Sequence, residues 1–355
     1  MSTDPQQKKT DQAHPLSQSF DTEKLTTYLE SKITGFKGPL TAKKFAGGQS
    51  NPTYLLQAQS GSYVLRRQPT GTLLKSAHAV DREFRVLKAL AHTDVPVAQA
   101  YHLCEDPEII GSMFYVMSYE DGQIFWNPAF PELPKEDRSA YMDELIRILA
   151  NLHNVNVEAV GLGDYGKPGN YYERQIGLWT KQYRASETSH LPAMERLIEW
   201  LPAHCPADDG QVSLVHGDYR LDNVMFKQNQ AQGQAVLDWE LSTLGHPLAD
   251  LAYFCMCLRL PAGGHIPGLA GKDLQELSLP DEPSIIKRYC ELRGIESISN
   301  WHFYLAFSFF RLAAIAQGVL KRALDGNAAS DKAMMVGKMT APLAEMALHI
   351  IDTDH

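Results

Sequence analysis

The stretch Leu214-Val215-His216-Gly217-Asp218-Tyr219-Arg220-Leu221-Asp222-Asn223-Val224-Met225-Phe226, followed by Ala235-Val236-Leu237-Asp238-Trp239-Glu240, decides how the rest of the chain is read. Two short apolar runs, Val212 to Val215 and Ala235 to Leu237, have the length and residue types of β-strands and flank a polar loop. Asp218 lies in that loop, Asn223 five residues further on, and Asp238 ends the second run fifteen residues after Asn223. A loop flanked by strands holds its side chains on a rigid base and can position reacting groups without large motions. A structural reading competes at each position, with Asp218 and Asn223 as turn residues and Asp238 as a strand-end cap. Three such residues at these spacings, each beside an apolar run, favour the functional reading.

Outward from this segment, residues 1 to about 20 are polar and read as a disordered tail. Thr22 to Ser31 predicts a short helix with Asp21 as its N-cap. From about Thr41 the period becomes two, and Thr53 to Gln59 and Ser62 to Arg67 form a hairpin signal across Ser60-Gly61. Ala77 to Ala91 turns helical, with Val80, Phe84, Leu87 and Ala91 on one face, and Met113 to Ser118 is a further apolar strand. Beyond Asp121-Gly122, Ser139 to His153 is an amphipathic helix whose inner stripe is Met142, Leu145, Ile146 and Leu149. Further helices are expected near 248–258, 283–293, 299–324 and 329–351. The division expected is a tail at 1–20, a sheet-rich lobe at 21–119 and a helical lobe at 120–355.

A chain of 355 residues has room for two lobes with a core each. Its net charge of −9 argues against a nucleic-acid surface, which needs clustered Lys and Arg. The five cysteines (Cys104, Cys205, Cys255, Cys257 and Cys290) form no C-x-x-C pair and read as core thiols of a cytosolic protein. The polar N-terminus has no apolar signal region, and no run approaches the roughly 18 apolar residues of a membrane span. The expectation is a soluble, cytoplasmic protein with no membrane or nucleic-acid partner. Oligomeric state is not legible.

The residue set suits phosphoryl transfer. One carboxylate must orient an attacking hydroxyl and accept its proton, while separate oxygen ligands hold Mg²⁺ against the β- and γ-phosphates. An Asn and an Asp supply the oxygen donors that magnesium prefers.

H-G-D-x-x-x-x-N at His216 to Asn223, followed by Leu237-Asp238-Trp239-Glu240, resembles the signature of aminoglycoside phosphotransferases and choline kinases, relatives of the protein kinases. Gly245-His246-Pro247-Leu248-Ala249-Asp250-Leu251-Ala252 resembles the G-x-P-x-x-D-L-A stretch of that family, and the resemblance spans roughly residues 40 to 325. The chain is also similar to phosphotransferase domains fused ahead of acyl-CoA dehydrogenase domains, in which segments like GGQSNPTYLL and SAHAVDREFRVLKAL recur. The resemblance implies a two-lobed, protein-kinase-like α+β fold, with a small antiparallel-sheet lobe and a larger helical lobe. It implies Asp218 as catalytic base and Asn223 and Asp238 as metal ligands, with ATP and Mg²⁺ as cofactors. His216 and Asp250 would brace the loop. Glu240 is open between touching a second metal or an outer water and serving as a cap or salt-bridge partner.

In the first lobe, Ala46-Gly47-Gly48-Gln49-Ser50-Asn51 sits between strands and can bring backbone N–H groups to phosphate, with Gly48, Gln49 and Ser50 at its tip. Glycine pairs also mark ordinary turns. Strand alternation puts Val64 and Arg66 on one face. Arg66 stands where kinases usually carry a lysine, and Glu83 is its expected partner, because guanidinium grips carboxylate and phosphate bidentately. Arg67 is the alternative occupant. Phe114 to Gly122 resembles the interlobe hinge, where Met117 would lie behind the purine and the Ser118 carbonyl and Glu120 amide would meet its edge.

Other signals are rejected. Gly161-Leu162-Gly163-Asp164-Tyr165-Gly166 matches G-x-G-x-x-G but follows a helix and reads as a loop. There is no P-loop motif, and the 13 histidines show no metal spacing. Trp301 to Phe310 reads as core. About ten residues separate Asp238 from Leu248 and no A-P-E follows, which disfavours a peptide substrate. The reading is therefore an ATP-dependent kinase of a hydroxylated small molecule, for which a hydroxyacyl compound is worth testing. The alternatives are a catalytically silent nucleotide-binding scaffold and an aminoglycoside-modifying kinase. A flavin-dependent dehydrogenase domain would have no room here. Tyr171, Tyr172, Trp179 and Arg259 are open between acceptor pocket, core packing and plain surface.

Overall fold

The computed structural model describes residues 20–45, 51–69, 78–264, 266–326 and 331–353. The expected tail falls almost wholly outside them, as do Gly48, Gln49 and Ser50. The chain divides into two compact units, residues 1–123 with 234–240, and residues 124–233 with 241–355.

The first unit opens on helix α1 (Thr22–Lys32), which the Asp21 carboxylate caps by accepting from the N–H groups of Glu23 and Lys24 at 2.9 and 3.1 Å. Five strands follow: β1 (Leu40–Lys44), β2 (Thr53–Ala58), β3 (Gly61–Arg67), β4 (Ala100–Cys104) and β5 (Phe114–Ser118). They form one antiparallel sheet in the order β1-β2-β3-β5-β4. The expected β2–β3 hairpin pairs Ala58 with Gly61, whose φ of +136° is open only to glycine. Leu25, Leu29, Leu56, Leu65, Phe114 and Val116 form the core under the sheet. β4 lies outside the expected set.

Helix α2 (Val80–Leu90) forms where expected, but its buried face differs. Val80, Glu83, Val86, Leu87 and Leu90 are inside, whereas Phe84 is half-buried and Ala91 exposed. The helix is rotated because the Glu83 carboxylate, not the Phe84 ring, finds its partners in the interior.

The second unit begins near the two-residue strand β6 (Gln123–Ile124). Helix α3 (Lys135–Asn154) buries Met142, Leu145, Ile146 and Leu149 as its pattern predicts. Helices α4 (Tyr171–Ser186) and α5 (Pro192–Ala203) are additional to the expected set. Strands β7 (Ser213–Val215), β8 (Val224–Phe226) and β10 (Thr243–Gly245) are short, as is β9 (Gly233–Val236), most of which belongs to the first unit. β7 and β10 pair antiparallel, with Val215 opposite Thr243. The chain ends in α6 (Leu248–Leu258), α7 (Glu282–Arg293), α8 (Trp301–Leu324), α9 (Asp331–Gly337) and α10 (Thr340–Thr353). The single helix expected at 329–351 is thus two.

Helix α6 is apolar on all sides and buried from Leu248 to Cys257. Helix α8 corrects the expectation that no run is long and apolar enough to span a membrane: by length and composition it is. In the fold it is the central helix of its unit, buried against α4, α6 and α10. Four of the five cysteines are buried, Cys205 is half-buried, and all are unbonded thiols.

Candidate active site

In the helical unit the site grows from the turn between β7 and β8. His216 is fully buried, and its backbone N–H donates to Asp250 Oδ2 at 2.6 Å while the Gly217 N–H donates to Asp250 Oδ1 at 2.8 Å. Asp250 also meets His153 Nε2 at 3.3 Å, and His153 Nδ1 meets the Tyr289 hydroxyl at 2.7 Å. Burial acts to raise the Asp250 carboxyl, yet the His153 contact and the donated N–H groups outweigh it and hold it below its ordinary value. Burial lowers His153. His216 and Asp250 therefore brace the loop.

Gly217 has φ +84°, and a Cβ there would lie 2.6 Å from the Leu241 carbonyl oxygen, so only glycine fits. The Gly217 carbonyl accepts from Arg311 Nη2 at 2.6 Å. The Asp218 N–H donates to His216 Nδ1 at 3.2 Å. The peptide between Gly217 and Asp218 is thus held at both its oxygen and its nitrogen. Asp218 keeps 24% of its side chain exposed. Asn223, in a 3₁₀ turn, donates from Nδ2 to the Asp218 carbonyl at 2.8 Å and to Asp218 Oδ2 at 3.2 Å. Arg220 Nε lies 3.5 Å from Asp218 Oδ1 and its Nη2 lies 3.0 Å from Asp222 Oδ2. Burial opposes the Arg220 charge, but these two carboxylates raise its pKa above the ordinary value.

In the sheet unit Arg66 is the hub. Its Nε is 2.7 Å from Glu83 Oε2, an ionic approach without good hydrogen-bond alignment, and its Nη2 is 2.7 Å from Asp238 Oδ1. Glu240 Oε2 lies 3.7 Å from the same Nη2, an ion-pair contact. Glu83 is buried and accepts from Asn51 Nδ2 at 2.7 Å and the Tyr115 hydroxyl at 3.1 Å. Burial pushes Glu83 up, to about 7, against the lowering pull of Arg66, Tyr115 and Asn51. Arg67, the alternative occupant, is buried with its Nε on Ser112 Oγ at 2.9 Å, so Arg66 alone meets Glu83. Asp238 sits at φ +62°, a region that non-glycine residues enter rarely and that recurs at functional sites.

Val64 and Met117 are direct cross-strand partners on β3 and β5. At the end of β5 the Ser118 N–H donates to the Gln99 carbonyl at 2.9 Å, and Ser118 Oγ accepts from the Gln99 N–H at 2.8 Å and donates to the Glu120 carboxylate. Glu120 Oε2 accepts from Gln234 Nε2 at 2.5 Å. The strand end proposed as a hinge is therefore tied down by side chains, which leaves its shape well defined.

The proposed metal ligands belong to different units, Asn223 to the helical one and Asp238 to the sheet one. Their chemistry fits Mg²⁺, because both offer oxygen. Asn223 Nδ2 is committed to Asp218, which leaves its Oδ1, and Asp238 Oδ2 is the oxygen that Arg66 does not engage.

Asn51, Tyr115, Arg220 and Arg311 are additional to the sequence assignment. Arg311 carried a signal, being a lone cation within the buried run Phe309-Phe310-Arg311-Leu312-Ala313. Three of the open acceptor candidates, Tyr172, Trp179 and Arg259, have aromatic or ion-pair contacts. Tyr172 is buried among Phe303, Tyr304, Phe307 and His246, and Arg259 forms two 2.7 Å bonds to Glu282. The ring of Trp179 stacks on the Arg311 guanidinium, 5.5 Å from its centroid.

A sheet unit carrying an Arg–Glu pair and a helical unit carrying a braced H-G-D-x-x-x-x-N turn define a kinase-like phosphotransferase fold. The chain belongs to the phosphotransferase enzyme family, whose sequence model matches residues 41–281. It is 48% identical over 325 residues to acyl-CoA dehydrogenase family member 10 of Mus musculus, covering 91% of this chain and 30% of that protein. It is 41% identical over 337 residues to family member 11 of Homo sapiens, covering 93% of this chain and 43% of that protein. The chain thus spans less than half the length of these curated relatives. A crystal structure from Ralstonia eutropha, provisionally named an aminoglycoside phosphotransferase, is 48% identical with a TM-score of 0.88, covering 94% of this chain and 98% of that one. A spectinomycin phosphotransferase solved with ADP and spectinomycin shares the fold at 14% identity, with a TM-score of 0.62 over 95% of this chain and 99% of that one.

Proposed function

We propose that the chain transfers the γ-phosphate of ATP to a hydroxyl of a small molecule, with Asp218 as general base. The observation that carries this is the Gly217–Asp218 peptide, held by Asp250, Arg311 and His216 while the Asp218 carboxylate stays partly exposed. A base fixed in this way meets a hydroxyl in one orientation. Asp218 accepts the hydroxyl proton as the alcohol oxygen bonds to the γ-phosphorus, the bond from that phosphorus to the β–γ bridging oxygen breaks, and ADP leaves. Asn223 and Asp238 would hold Mg²⁺, which neutralises phosphate charge. Arg66, steadied by Glu83, is suited to the α- and β-phosphates, because guanidinium binds phosphate oxygens in pairs. Val64, Met117, Ser118 and Glu120 are assigned to the adenine, and the Gly48-Gln49-Ser50 backbone to the phosphates. The relatives named for acyl-CoA dehydrogenases favour a hydroxyacyl compound over an antibiotic as acceptor.

The test is release of ADP from Mg-ATP across a panel of hydroxyacyl-CoAs, aminoglycosides, choline, amino sugars and homoserine. One acceptor should give release, and Asp218→Asn should abolish it while retaining ATP binding. A nucleotide-binding scaffold is the second reading, favoured by one observation: Arg66 engages an oxygen of Asp238, a proposed metal ligand. ATP binding without release on any acceptor would select it.

A further inference from the structure

A groove of about 170 Å³ opens in the helical unit, lined in part by Arg220 and Asp222. Arg220 ties it to the proposed base, since its Nε lies 3.5 Å from Asp218 Oδ1. The rest of the lining is apolar, with Trp126, Phe254, Leu258, Ile266 and Pro267 on its walls. Trp126 leaves 64% of its surface exposed, whereas Phe254 is almost fully buried. The ring at the mouth is therefore mostly open to solvent, while the floor is packed.

Charge decides what the groove accepts. The guanidinium of Arg220 lies between Asp218 and Asp222, the latter 3.0 Å from its Nη2, so both charged groups of the lining are already paired. A polycationic sugar would find only these carboxylates, both already engaged by Arg220, among otherwise apolar walls, where further charges are strongly disfavoured. Size argues the same way. The volume is below the roughly 300 Å³ of the smallest drug-sized pockets. That suits a short chain and not a multi-ring sugar.

We infer that this groove is the acceptor subsite, and that it takes an uncharged aliphatic chain whose hydroxyl is presented to Asp218. Leu258 and Ile266 then set the chain length, and Trp126 covers the chain. The inference rests on the phosphotransfer reading, because it takes Asp218 as the point the hydroxyl must reach.

The test uses the full chain and linear alkanols from butan-1-ol to decan-1-ol. Binding is followed by NMR at the Trp126 indole N–H, assigned by its disappearance in Trp126→Phe, and by calorimetry. Affinity should rise about four-fold per added methylene and stop rising once the groove is filled. Ile266→Trp, which fills the groove, should abolish the chain-length dependence. Trp126→Ala, at an exposed position that tolerates change, should weaken it by about ten-fold, as burial of an aromatic face against the chain is lost. Affinity that ignores chain length, or that neither variant alters, overturns the inference. The same alcohols are then offered with Mg-ATP. Chain-dependent binding with ADP release supports subsite and reaction together. Chain-dependent binding with no release from these alcohols or any other hydroxylated acceptor sinks the phosphotransfer reading and, with it, the role of the groove as an acceptor subsite, while leaving its preference for aliphatic chains standing.

Discussion

The Gly217–Asp218 peptide shows how few atoms fix a proposed base. Arg311 holds its oxygen from 94 residues away, with its guanidinium 5.5 Å from the Trp179 ring and 5.4 Å from the Tyr253 ring. Arg311→Met keeps a flexible apolar chain between the rings but leaves the Gly217 carbonyl without its donor. Steady-state kinetics should show kcat reduced about a hundred-fold, the scale of a small misplacement, with KM for ATP unchanged. Arg311→Lys should recover part of the loss, since one donor and the charge return. Equal loss in both variants would point to folding instead of placement. Glu83 offers a second residue-scale test. Its folded pKa of about 7 lies above the 4.5 of a free glutamate, so the fold prefers the protonated form. Its contribution is complete below about pH 4.5 and is lost as pH rises through 7, a change on the order of 3 kcal/mol. Urea titrations of the unliganded protein from pH 4.5 to 8 should show this loss in the wild type and not in Glu83→Gln. Parallel curves for the two would refute it.

At the scale of elements, α6 matters less for its apolar sides than for its first turn. Asp250 is buried there at 1% exposure and accepts from two successive backbone N–H groups of the loop. Asp250→Asn turns an amide toward one of those donors and should lower unfolding stability by about 3 kcal/mol. Hydrogen exchange should quicken at His216 and Gly217 before it does in the interior of α8. Uniform protection would show that the loop holds itself. Much of this brace was legible, since Asp250 opens a helix marked by Gly245-His246-Pro247. Strong periodicity likewise located α3 and α8, and a glycine turn located the β2–β3 hairpin. The face of α2 was misread because a buried carboxylate with three partners outweighed an apolar stripe. The mixed composition of β4, Ala-Tyr-His-Leu-Cys, shows no strict alternation, and its neighbour β5 supplies the pairing that makes it a strand.

For the molecule as a whole, proximity in sequence governed what could be read of the site. Asp218, Asn223 and Arg220 lie within six residues, so their meeting needs only a local turn. Arg66 and Asp238 meet across 172 residues, and only the resemblance to kinases suggested a partner for Arg66 at all. The match to proteins named for acyl-CoA dehydrogenases covers 30% and 43% of their lengths, and on this chain it takes in 91% and 93% of the residues, more than the phosphotransferase family region at 41–281. The residues assigned to the base, the metal and the nucleotide lie within that region, whereas Arg311, which holds the Gly217 carbonyl, lies beyond it. The two activities should therefore separate physically. The purified chain should bind ATP, with affinity reduced at least ten-fold by Arg66→Met because the paired contacts to phosphate are lost. It should also emerge without a flavin absorption band and leave an acyl-CoA and electron acceptor unchanged. Calorimetry with ATP and an absorption spectrum of the same preparation decide the matter. Bound flavin would mean that the likeness to dehydrogenases reaches into this chain, and unaltered ATP affinity in Arg66→Met would remove Arg66 from the nucleotide site.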